Sequence, residues 1–263
     1  MSSSSASNPS IVLSVVSHGH GAMVQRLLEA LVRVDAQSDR CIARVVLTLN
    51  VPEAPPLPPL GGWPFVLQLR HNAQPQGFSA NHNAALADVD EAFVCIINPD
   101  VELASNPFPA LLAAAQWAGV GLSYPRQVDQ YGVEQGSERE VPTPWSLLLR
   151  YAVRKRETRA EWVNGALWVL PTGVWRSIGG LDAAYFMYGE DVDLCLRLRL
   201  GGWTLARADT EVVHVGQRAS HHRARHALWH IRSLLRLWGS AVFWRSRALL
   251  RRLPTAALTM TQP

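Results

Sequence analysis

Lysine is nearly absent from this chain: of 25 basic side chains, only Lys155 is not an arginine. No recognisable nucleic-acid module accompanies the formal net charge of +4 and sequence pI near 9.3, so nucleic acid is not an expected partner. The three cysteines, Cys41, Cys95 and Cys195, are scattered. They have neither zinc-ligand spacing nor a disulfide framework and read as reduced core residues. There is no G-x-G-x-x-G and no P-loop lysine motif, which argues against dinucleotide oxidoreductases and P-loop kinases. No uninterrupted apolar run is long enough to span a bilayer, and the amino terminus lacks the basic start of a secretory signal. The expectation is a cytoplasmic protein. No internal repeat is visible.

What is present is a chain of 263 residues, 48% hydrophobic, enough for one sizeable α/β core. Strand-like runs at Ile11–Val16, Arg44–Leu49, Val66–Arg70, Ala92–Ile97 and Val120–Tyr124 alternate with helical patterns such as Val24, Leu27, Leu28 and Leu31. That alternation implies a mostly parallel, twisted sheet. Residues 1–10 read as a mobile, serine-rich tail, and Pro52 to Pro64 as a loop outside the sheet. The polar stretch Gln127 to Thr143 reads as a flexible segment able to close over a substrate.

Two acidic sites stand out. The block GGLDAAYFMYGEDVDLCLRLRLGGW, Gly179 to Trp203, places Glu190 and Asp191 just after Phe186, Met187 and Tyr188. Val192, Cys195 and Leu196 follow at helical spacing, so a helix is expected to begin at the Glu190–Asp191 step, where acids suit the helix dipole. The aromatic lead-in would hold the pair in a partly desolvated wall, a costly place for a carboxylate without a task. Asp193 and Arg197 are expected to be helix-surface partners at i,i+4 spacing. Upstream, the apolar run AFVCII ends in Asn98-Pro99-Asp100-Val101-Glu102. In open α/β sheets ligands gather at the carboxyl ends of strands, which is where Asp100 falls.

Taken in order, several segments resemble the inverting nucleotide-sugar glycosyltransferases of family 2, the rhamnosyltransferase branch in particular. IVLSVVSHGHGAMVQRLLEAL from Ile11 resembles the opening strand and helix, and HNAQPQGFSANHNAAL from His71 the nucleotide-side loop and helix. INPDVEL resembles the family's aspartate-containing metal motif, with Asn98 replacing its first acid. WVNGALWVL from Trp162 resembles the acceptor-side strand, GGLD…YGEDVDLCLR the catalytic motif, and VVHVGQRAS from Val212 the segment whose histidine often joins the metal site.

The resemblance implies a glycosyltransferase-A-like, Rossmann-like α/β domain over residues 11–220, followed by a basic helical appendage over 221–263. It implies transfer of a sugar, rhamnose from a deoxythymidine diphosphate donor being favoured, to a saccharide or polyprenyl-linked acceptor in bacterial surface-polysaccharide synthesis. Such chemistry needs a base for the acceptor proton and a cation for the departing diphosphate. Asp191 is the candidate base, with Glu190 either orienting the acceptor or serving as the base itself. Asp100 and His214 are the candidate ligands of Mg²⁺ or Mn²⁺. Asn50 and Glu53 stand where relatives carry an aspartate-asparagine pair that contacts the base. Gly77 permits close backbone approach, while Asn81 and Asn83 are expected on one side at the start of the next helix, where backbone N–H groups favour phosphate. Asn98, Trp162 and Gly165 complete the substrate-binding candidates. The His18-Gly19-His20-Gly21 run reads as a polar turn rather than a metal tract.

Two other readings remain open: a nucleotidyltransferase, which would normally carry a glycine-rich basic loop missing here, and a catalytically silent nucleotide-sugar-binding subunit. At the carboxyl end, Leu228, Ile231, Leu235, Trp238 and Val242 form a helical stripe among Arg223, Arg225, Arg232, Arg236, Arg245, Arg247, Arg251 and Arg252. Basic amphipathic helices of this kind suit an anionic membrane surface, the catalytic core, or a partner subunit in a homodimer.

Overall fold

Strand formation begins where the sequence is most uniformly apolar. Phe93–Ile97 (FVCII) is buried at every position and lies in the interior of a nine-stranded sheet, as expected of a strand covered on both faces. The computed structural model describes residues 10–37, 40–153, 159–216, 223–255 and 258–261. Residues 1–9 of the expected tail, Lys155 and Arg218 lie outside the described residues.

The first half of the chain supplies β1 (Ile11–Ser17), α1 (Gly21–Asp35), β2 (Ile42–Leu49), β3 (Val66–His71), α2 (Phe78–Ala85) and β4 (Phe93–Ile97). Next come β5 (Val101–Glu102), α3 (Phe108–Ala115), β6 (Val120–Val128), β7 (Glu138–Arg139), α4 (Pro144–Val153) and β8 (Trp162–Val163). The remainder forms β9 (Leu167–Pro171), α5 (Thr172–Ser177), α6 (Glu190–Leu200), β10 (Thr204–His214), α7 (Arg223–Gly239), α8 (Ala241–Leu250) and β11 (Thr259–Thr261).

The sheet order is β11-β10-β6-β9-β4-β1-β2-β3, with β5 paired to β10. β1 runs parallel to β2 and β4, and β10 parallel to β6, so the carboxyl ends of these strands share one edge. β9 is reversed, pairing antiparallel with β4 and β6. Strand alternation divides the core in two. Ile11, Leu13 and Val15 join Leu27 and Leu31 of α1 and Leu111 of α3 on one face. Val12 joins Val192 and Cys195 of α6, Trp175 of α5 and Phe243 of α8 on the other.

The five strand runs read from sequence all form, and α6 starts at Glu190 as its periodicity predicts. The stretch 127–143 is hydrogen-bonded: Gln135 N–H donates to Gln127 O at 2.8 Å, β7 pairs with β8, and Ser137 and Val141 are buried. The carboxyl-terminal helices enter the second core through Leu237, Phe243 and Leu250, and β11, which no helical reading anticipates, extends the sheet beside β10. Arg199 of α6, 4% exposed, ties this end down by donating to the carbonyls of Ala160 and Leu258.

Candidate active site

The candidate residues fall into two acidic stations and a cluster at the starts of α1 and α2. The first station is built by β4 and β10. Asp100 follows the turn after β4, His214 closes β10, and the antiparallel pairing of β5 with β10 brings the two chain segments together. Nε2 of His214 stands 3.6 Å from Oδ2 of Asp100, and both side chains are largely buried. The loop before β7 fixes the imidazole. Nε2 of Gln135 donates to the His214 carbonyl at 2.6 Å, which turns Oε1 of Gln135 toward Nδ1 at 3.2 Å. Nδ1 is then the donor, and in the neutral ring the Nε2 lone pair faces the Asp100 carboxylate.

Residues of this kind fit a hard divalent ion. Adjacent ligands on an octahedral Mg²⁺ lie roughly 3 Å apart, and such ions keep several positions for water and phosphate oxygens. Among the described residues no group of three or more His, Cys, Asp or Glu side chains converges.

The second station is the start of α6. Glu190 and Asp191 occupy its first turn, preceded by Gly189 at φ 83°. Burial pushes Glu190, 7% exposed, well above the usual carboxylate range, and the charge of Asp191 adds to the rise. Asp191 is pushed up to about 6, chiefly by burial, against the pull of the Val192 N–H at 2.8 Å and the Arg139 charge. Oε2 of Glu190 has no hydrogen-bond partner among the described residues. Asp193 does pair with Arg197, at 2.7 Å, but in a buried position rather than on the helix surface. The Arg197 guanidinium also donates to the carbonyls of Ile178 and Gly180, pinning the turn that leads into the catalytic block. A salt bridge with those extra bonds belongs inside.

Tyr188 has φ 68°, unusual for an aromatic residue and the kind of backbone strain that collects at functional sites. α7 holds it there. The Tyr188 hydroxyl bonds Nδ1 of His226 at 2.6 Å, its ring stacks on His230 at 3.5 Å, and Ser233 Oγ donates to Met187 O. Sequence reasoning placed Tyr188 in the aromatic lead-in but gave it no partner, and it missed Arg139 and Gln135, which carry no periodic signal.

The nucleotide-side residues are braced against one another. Asn50 closes β2 and spends its whole amide: Oδ1 accepts from Asn72 Nδ2 and Gln76 N–H, while Nδ2 meets Gln76 O and His18 Nδ1. Glu53 accepts from Ser17 Oγ at 2.8 Å and Gly19 N–H at 3.2 Å, so it shapes the turn between β1 and α1. Asn81 and Asn83 do not share a side of α2. Two residues apart on a helix means about 200° of rotation. Asn81 accordingly bonds Asn72 and Gln76 O, whereas Asn83 clamps both backbone groups of Leu181. Gly77 is needed for a close approach to the loop before α6: a Cβ there would lie 2.6 Å from Phe186 O, which accepts the Phe78 N–H at 2.8 Å. The two halves of the site therefore touch directly.

Asn98 donates its N–H to Ala166 O at 2.9 Å, beside the turn containing Gly165. Trp162 is buried, with its indole N–H on Glu140 O at 2.9 Å and Arg139 stacked 5.8 Å from its ring centre. It braces the β7–β8 pair that carries Arg139 toward Asp191.

No protein-family model matches the chain. It is 30% identical over 159 residues to the N-acetylglucosaminyl-diphospho-decaprenol L-rhamnosyltransferase of Mycobacterium tuberculosis, 51% of this chain and 52% of that protein. The chain thus matches about half the length of that relative. Rhamnosyltransferase WbbL of Escherichia coli is 23% identical over 258 residues, covering 86% of this chain and 91% of that one. Among solved structures, mannosyltransferase PcManGT from Pyrobaculum calidifontis, in complex with GDP-Man and Mn²⁺, superposes with a TM-score of 0.59 at 16% identity, covering 95% of this chain and 78% of that one. GalNAc-T7 with UDP, GalNAc and Mn²⁺ gives 0.66 at 15% identity, over 95% and 52%. The fold is that of the glycosyltransferase-A enzymes. In sequence the chain is similar to rhamnosyltransferases.

Proposed function

We propose that the chain is a metal-dependent, inverting glycosyltransferase that moves a sugar from a nucleotide diphosphate to a hydroxyl acceptor in the synthesis of a cell-surface glycan. One observation supports this reading: Asp100 stands 3.6 Å from His214 where β10 ends, while Glu190 and Asp191, both raised above the usual carboxylate range, open α6 just after the loop that hydrogen-bonds the start of α2. The similarity to rhamnosyltransferases supports rhamnose as the sugar, and the decaprenol-linked substrate in the mycobacterial relative's name supports a polyprenyl-linked acceptor here.

Asp191, deprotonated above about pH 6, takes the proton of the acceptor hydroxyl. The freed oxygen attacks the anomeric carbon as its bond to the diphosphate breaks, and a single displacement inverts that carbon. Glu190, shifted toward its acid form by burial and by its neighbour's charge, orients the acceptor through a hydrogen bond. The backbone N–H groups of Val192 and Asp191, and after them the Arg139 charge, draw the Asp191 carboxyl back down. Asp100 and His214 would hold Mg²⁺ or Mn²⁺, which supplies positive charge to the leaving diphosphate. Asn50, Asn81 and Glu53 shape the nucleotide side by setting the loops, with backbone groups left to meet the base and phosphates. A nucleotidyltransferase is disfavoured, because the turn after β1 is braced by Glu53 and carries no basic side chain aside from its histidines.

The test is a donor-hydrolysis and transfer screen across nucleotide sugars with added Mn²⁺, using a polyprenyl diphosphate-linked sugar as acceptor. Turnover of one donor, with inverted product by NMR, is expected. No turnover of any donor alongside measurable nucleotide-sugar binding would leave the silent-subunit reading standing in its place.

A further inference from the structure

Helix α7 presents two opposed faces, and only one is explained by the fold. At about 100° per residue, positions 226, 230, 233 and 237 fall on one side and 228, 231 and 235 on the other. The first set holds the catalytic block. His226 and His230 meet Tyr188, Ser233 meets Met187, and Leu237 is fully buried. The second set points away from the molecule, with Leu228 63%, Ile231 56% and Leu235 62% exposed. Trp238 and Val242, the other members of the apolar stripe, pack against the second core instead. In the first turn of α8 a further large ring stands out: Trp244, 59% exposed, donates its indole N–H to the carbonyl of Trp238 near the end of α7 at 2.8 Å.

Charge decides what covers this face. From Arg223 to Leu253 the sequence contains eight arginines and no acid. Arg236 is committed to Asp182, and Arg247 lies over the Phe243 ring, but Arg232, Arg245, Arg251 and Arg252 are exposed. A second copy of the chain would bring like charges together, which disfavours self-docking. A nucleic-acid backbone would use the arginines and leave the aliphatics idle. An anionic bilayer surface uses both: leucine, isoleucine and tryptophan enter the headgroup boundary while arginines meet the phosphates.

We propose that the outer face of α7, Leu228, Ile231 and Leu235 with Trp244 and the flanking Arg232 and Arg245, docks on an anionic lipid surface. The docked face is one helix thickness from Glu190, because the inner face of the same helix packs on Met187 and Tyr188; a Cβ at Gly189 would touch Ser233 at 3.3 Å. Docking therefore sets the start of α6 close to the membrane plane. It is a property of the free protein and does not rest on the transfer chemistry.

Flotation with lipid vesicles tests it without substrate. Wild-type protein should bind phosphatidylcholine vesicles containing about one third phosphatidylglycerol, and bind pure phosphatidylcholine at least about tenfold more weakly, with the anionic binding falling steeply as salt rises. The Leu228→Ser/Ile231→Ser/Leu235→Ser variant, altered only at exposed positions, should keep its circular dichroism spectrum and lose about tenfold or more in vesicle affinity. Arg232→Gln/Arg245→Gln should reduce the salt dependence with the fold untouched, so the proposal stays open to test if the triple variant misfolds. Three results would each overturn it: no binding of the wild type to anionic vesicles, binding unchanged in both variants, or a solution dimer that the triple serine variant dissolves.

Discussion

Gln135 grips His214 at two points, its amide nitrogen on the backbone carbonyl at 2.6 Å and its amide oxygen toward Nδ1 at 3.2 Å. This fixes which ring nitrogen faces Asp100, the orientation the proposed metal site needs. Partners of that kind are worth about 10–100-fold in metal affinity. Gln135→Leu should weaken Mn²⁺ binding by that amount, read by electron paramagnetic resonance of free Mn²⁺, without a change in thermal stability larger than a surface substitution gives. Asp100→Ala and His214→Ala should each abolish tight binding. Wild-type Mn²⁺ affinity in the Gln135 variant would reduce the contact to loop packing.

Asp191→Asn is expected to cut transfer by at least about a hundredfold, the usual range for losing a general base, with nucleotide-sugar affinity by calorimetry nearly unchanged. The pH profile follows from the same group. Its acid form dominates below about pH 6, so kcat/KM should rise with pH through that value and level off above it. A flat profile from pH 5 to 8 would exclude Asp191 as the titrating base.

Glu190 is buried with an unpartnered oxygen, and its folded pKa lies above its unfolded one. An acid shifted in that direction costs stability once it ionises. The cost is absent below the usual carboxylate range near pH 4 and grows as pH rises toward the folded value. Glu190→Gln should therefore raise Tm by about 2 °C or more at pH 8, with the gain shrinking toward pH 4, while transfer activity falls. Site residues commonly trade stability for function in this way. A lower Tm for the glutamine variant at pH 8 would mean that the carboxylate is satisfied by a partner the free chain does not display.

Gly77→Ala tests the seam between the two halves of the site. The added methyl would lie 2.6 Å from Phe186 O and 2.7 Å from Phe186 Cα, both backbone atoms, so the α2 start and the catalytic loop must separate. A loss of about 1–3 kcal/mol by urea denaturation is expected from such overpacking, together with reduced donor binding. Unchanged stability would show that the seam opens freely.

The sequence by itself determined the five strands it named and the start of α6. Apolar runs gave the strands, the spacing of Val192, Cys195 and Leu196 gave α6 with its acids in the first turn, and the position of Asp100 after a buried strand put it on the ligand-bearing edge. These are local properties of periodicity and burial, legible without knowing the partner of any segment. Three readings required tertiary structure. Asn81 and Asn83 proved to face opposite ways, each claimed by a different loop. Trp162 was absorbed into the core, and the apolar stripe of the last helices split into a buried part and an exposed one. Gln135, a lone polar residue in a turn, carries no periodic signal, and only the chain crossing that sets β5 against β10 gives it a histidine to hold. Pairing across long sequence separations decides such contacts, because a hydrogen bond depends on which groups meet in space, whereas a strand or helix depends on what lies beside it in the chain.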